Sequence, residues 1–72
     1  MVINFFMAGS DRVTWEIVTL ENGGRCKLSV VHSRGTIVEY FATAADAMKR
    51  ERELEAMFLA SAGPDSRAVR AS

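Results

Sequence analysis

The chain predicts an α+β fold: a three- or four-stranded antiparallel meander, then one long helix packed on one face of it (β-β-β-β-α). Three observations predict this. Four short apolar runs come first, rich in β-branched and aromatic residues and separated by glycine-containing turns. The hydrophobic period then changes from two to that of a helix near residue 44. Capping residues mark both the start and the end of that helical stretch.

The first run is Val2-Ile3-Asn4-Phe5-Phe6-Met7, closed by Gly9-Ser10-Asp11. It is read as an edge strand, or as a strand exchanged with a partner chain. The second is Val13-Thr14-Trp15-Glu16-Ile17-Val18-Thr19-Leu20. Glu21-Asn22-Gly23-Gly24 follows, and Asn-Gly favours a hairpin turn with positive φ at both central residues. The third, Arg25 to His32, alternates: Cys26, Leu28 and Val30 on one face, Arg25, Lys27 and Ser29 on the other. Ser33-Arg34-Gly35 makes another tight turn before Thr36-Ile37-Val38-Glu39-Tyr40-Phe41.

Thr43-Ala44-Ala45-Asp46 has the spacing of a capping box, with Asp in place of Glu or Gln. Ala44 to Ala62 are nearly all strong helix formers. Gly63 supplies a left-handed residue beyond the last turn, and Pro64 forbids continuation. Residues 1–63 therefore read as a single small domain and 64–72 as a flexible C-terminal tail.

With 72 residues there is little room for an elaborate buried active site. Nine Lys and Arg balance nine Asp and Glu, which excludes a general electrostatic grip on nucleic acid or an anionic membrane but leaves room for a local patch. The short apolar start lacks a basic flank, and no run is long enough to span a membrane, so neither a signal peptide nor a membrane anchor is expected. The lone Cys26 points to a reducing, cytoplasmic compartment and reads as a small core residue. One Cys and one His cannot build a structural zinc site, and no metal or cofactor is expected.

Placed at about 100° per residue, the helix shows a stripe of Ala47, Leu54, Met57 and Phe58, flanked by Ala44, Ser61 and Ala62. Met48 and Leu59 lie off it. Glu51 falls near its centre; one reading is a functional acid held near the core, and the favoured one is a carboxylate reaching the helix edge with its stem packed. One helix covers one face of a sheet, yet several runs are apolar on both. The excess predicts self-association, most simply as a homodimer, with Val13, Trp15, Ile17, Met48 and Leu59 as candidate contacts.

Catalytic signals are poor. His32 and Ser33 are adjacent on a strand and so point to opposite faces, and no catalytic residue is assigned. Arg25, Lys27 and Arg34, near Tyr40 or Trp15, form a candidate nucleic-acid surface on the second hairpin.

Tyr40-Phe41-Ala42-Thr43-Ala44-Ala45-Asp46-Ala47 resembles the strand-to-helix junction Phe-x-Thr-x-x-Glu/Asp-Ala of AP2-type and integrase-arm DNA-binding domains. The resemblance covers about eight residues and the order of elements. It implies a small antiparallel sheet backed by one helix, with the sheet reading a DNA major groove through Arg25 and Lys27. Those families carry arginines on their first two strands, whereas Val13 to Leu20 has none. The leading expectation is a small non-enzymatic interaction module that self-associates; nucleic-acid binding is the alternative, and a small-ligand site between protomers the third.

Overall fold

The computed structural model describes residues 1–20 and 24–62. Strands β1 (Val2–Ala8), β2 (Asp11–Thr19), β3 (Cys26–His32) and β4 (Gly35–Phe41) pair in the order β1-β2-β3-β4, each antiparallel to the next. Helix α1 (Ala44–Ser61) follows and packs across all four. The fold class is thus the four-stranded form of the one the sequence predicts.

Two turns have a visible cause. Only Gly9 and Ser10 separate β1 from β2, and Gly9 has φ 66°. Gly35 opens β4 at φ 144°, directly opposite His32. Both values are unfavourable for a residue with a Cβ. The expected Asn22-Gly23 turn, the Gly63-Pro64 stop and the tail from 64 to 72 lie outside the described residues.

The helix start forms as the spacing requires. Thr43 is extended (φ −138°, ψ 159°) and its Oγ1 accepts from the Asp46 N–H at 3.1 Å. Asp46 places a negative charge in the first turn, where the helix dipole favours it. At the other end the Ala62 N–H donates to the Phe58 carbonyl at 3.1 Å.

The core lies between the helix and one face of the sheet. It contains Phe6, Ala8, Val13, Trp15, Ile17, Cys26, Leu28, Val30, Ala47 and Leu54. Register explains why these strand residues share a face: Phe6 lies opposite Val13, Trp15 opposite Val30, and Ile17 opposite Leu28. Phe58 reaches from the helix to Phe6, their ring centroids 6.1 Å apart.

The helical stripe keeps Glu51 near its expected centre but excludes Met57. Glu51 is only 1% exposed and Glu55 is buried as well, while Met57 is 60% exposed. The stripe is centred on Glu51, which puts Met57 roughly 120° away at 100° per residue. Glu51 therefore does not reach the helix edge. On the helical wheel it lies between Phe58 and Glu55, close to Ala47, which holds it under the helix. Met48 and Leu59, expected off the stripe, are half-buried margins packed against the core.

Candidate interaction surface

A sheet with one helix has one covered and one open face. Pairing assigns every described strand residue to a side. The helix takes the side of Trp15, so Val13, Trp15 and Ile17 are core residues, 0–4% exposed. This corrects their expected place on a self-association surface. The other side of β2 carries Arg12, Thr14, Glu16 and Val18, so the helix covers the more apolar side, which also bears the largest side chain.

The open face carries seven apolar residues: Ile3, Phe5, Met7, Val18, Val31, Val38 and Tyr40. Ile3 and Tyr40 are about three-fifths exposed, Val31 and Val38 about half. They are unevenly placed. On β1 all three open-face positions from Ile3 to Met7 are apolar. The middle of the face is more polar, with Thr14 and Glu16 on β2 and Lys27 and Ser29 on β3. Arg12 extends from β2 over the Phe5 ring, its guanidinium carbon 4.1 Å from the centroid. That contact keeps a cation in water while its stem covers part of an aromatic face.

The candidate basic patch divides. Lys27 lies directly opposite Tyr40 on the open face, and Arg25 just precedes β3 at the same end. Arg34 occupies the β3–β4 turn at the far end of the strands. A hairpin places its turn and its open end a full strand length apart, so Arg34 does not join the other two. Trp15 is under the helix, which leaves Tyr40 as the aromatic beside Lys27.

The two edges of the sheet also differ. On β4, Glu39 points to the helix side and accepts from Arg50 Nε at 2.9 Å and Nη2 at 3.3 Å. Arg50 Nη1 reaches Glu53 at 3.4 Å. The Glu39 hydrogen bond, then its charge, hold the Arg50 pKa above the ordinary arginine value. The cationic form is therefore the one the fold favours. That preference is present at every pH below the unfolded guanidinium range and is lost only as pH rises through the still higher folded value. β1, the opposite edge, has no charged residue and no proline.

A cleft of about 500 Å³ opens at the end of the sheet where both short turns meet the helix C-terminus. Asp11, His32, Ser33 and Arg34 line its polar side, Ile37 and Phe58 its apolar side. Ser33 donates its hydroxyl proton to Asp11 Oδ2 at 2.9 Å. His32 Nδ1 instead accepts from the Arg34 N–H at 3.3 Å, and its ring lies 5.0 Å from that of Phe58. The hydroxyl and the imidazole thus bond to different partners, and no Ser-to-His proton relay is assembled. Cys26 sits in the core, its thiol directed to the Gly24 carbonyl at 3.5 Å. No helix among the described residues is long and apolar enough to cross a membrane.

No protein-family model, no curated protein and no solved structure matches this chain.

Proposed function

We propose that this chain is a small non-enzymatic interaction module that associates with copies of itself, as a dimer, through apolar surface its single helix leaves uncovered. One observation carries the reading. The open face of the sheet bears seven apolar side chains, four of them about half exposed or more, and the helix lies wholly on the other side. Isolated exposed apolar residues are ordinary, but seven on one face, three of them in a row on β1, support an interaction surface. A second copy is the simplest cover, because a two-fold contact uses the same patch twice. The buried free thiol of Cys26 suits a reducing compartment such as the cytoplasm. Size-exclusion chromatography with light scattering across a dilution series tests the reading. A mass above the monomer that falls on dilution is expected; a monomer at every concentration contradicts it.

Nucleic-acid binding is the second reading, and the Lys27–Tyr40 cross-strand pair favours it. A cation beside an aromatic ring on an open sheet is the minimal unit for holding a phosphate and stacking a base. Glu16 on the same face and the separation of Arg34 weigh against it. Titration with a single-stranded oligonucleotide at low salt tests it: Lys27 and Tyr40 resonances should shift, and unmoved resonances end this reading.

A further inference from the structure

We infer that the self-association runs along the free edge of β1, which pairs antiparallel with the β1 of a second copy to give a continuous eight-stranded sheet. This rests on the self-association reading above and specifies its geometry. The argument starts from the two edges. An edge strand presents a row of unpaired main-chain groups, and proteins guard such rows with charges, prolines, bulges, inward-pointing ionic groups or a covering element. β4 has such a guard in the inward-pointing Glu39 held by Arg50. Among the described residues β1 has none of these; its one local cap is Asn4 Oδ1, which accepts from the Phe5 N–H at 2.8 Å and which pairing would displace. It is seven residues long, contains no charge or proline, and pairs with β2 one residue to one without a bulge. No described element lies beyond it.

The side chains point the same way. Ile3, Phe5 and Met7 form the densest apolar row on the open face. Antiparallel pairing about a two-fold axis normal to the sheet keeps both open faces on one side. It lays this row beside its own copy, so six apolar side chains become one band. Because β1 is uncharged, self-pairing opposes no like charges within the ladder. The nearby cation, Arg12, is rooted on β2.

Polarity favours this edge over stacking of the two open faces. The middle of the open face is occupied by Thr14, Glu16, Lys27 and Ser29, which stacking would have to desolvate. Edge pairing leaves them in water and adds main-chain hydrogen bonds.

The test compares two variants with the wild type by light scattering over a dilution series. Val2→Lys adds a guarding charge to β1 at a half-exposed position on the helix side of the strand. Val38→Lys adds the same charge to the open face on β4, far from the β1 edge. The proposal expects Val2→Lys to be monomeric where the wild type is dimeric, and Val38→Lys to stay dimeric within about twofold in dissociation constant. The reverse pattern overturns edge pairing while leaving self-association intact, and a wild type that is always monomeric overturns both. Amide exchange of the wild type supplies a readout independent of any variant. A lone edge strand protects alternate amides, whereas a strand paired on both sides protects both sets. Protection at consecutive β1 amides, Phe5 aside because its N–H already bonds Asn4 Oδ1 at 2.8 Å, supports the pairing; alternate protection contradicts it.

Discussion

Val30 and Val31 are neighbours on β3 with the same side chain and opposite surroundings. Val30 is 1% exposed beneath the helix, and Val31 is 49% exposed on the open face. The whole sheet repeats that contrast. On the covered side, apolar residues meet a helix and close a core. On the open side, residues of similar type meet water. The strand pleat guarantees this split whatever the composition, so apolar content alone does not distinguish a core residue from a contact residue.

Substitutions on the two sides should separate them. The largest effect is expected for Leu28→Ala, at a fully buried position in the middle of the core. It should cost about 2–5 kcal/mol in denaturant unfolding, as large-to-small core changes do. Next comes the valine pair. Val30→Thr buries a hydroxyl and should cost about 1–3 kcal/mol, whereas Val31→Thr should stay within roughly 0.5 kcal/mol of the wild type. Equal costs at the two positions would show that the open face is covered within the monomer. Thr43→Ala, which removes the Oγ1 acceptor for the Asp46 amide, should cost about 1 kcal/mol. The smallest effect is expected at Arg50→Met. Its pair with Glu39 is one-third exposed, so the loss should be hard to resolve in monomer stability. Its consequence belongs to the β4 edge, where a weakened guard should appear as added aggregation on concentration.

Much of the fold was legible because each element carried its own local signal. Alternation in Cys26 to Val30 fixed a face, Gly9 and Gly35 marked the turns, and Thr43 with Asp46 marked the helix start. The choice of covered face was not legible, since the second apolar run offers Val13, Trp15 and Ile17 on one side and Val18 and Leu20 on the other. Only tertiary packing decides between them. One member of the helical stripe was misjudged for a related reason. Weighting by apolar character included Met57, but the helix turns Glu51, near the expected centre, and Glu55 inward instead. A glutamate has an apolar stem that packs like an aliphatic chain, so its charge misleads a reading by residue type. Arg34 was grouped with Lys27 by nearness in sequence, which a hairpin converts into distance.

The central claim is that the chain associates with a second copy of itself through apolar surface its helix leaves uncovered, the Ile3, Phe5 and Met7 row of β1 foremost. Coupling between folding and association makes this visible in the thermal midpoint of the unmodified protein. The account predicts a midpoint that rises steadily with protein concentration in reversible unfolding. A midpoint that stays constant across the whole concentration series would contradict it.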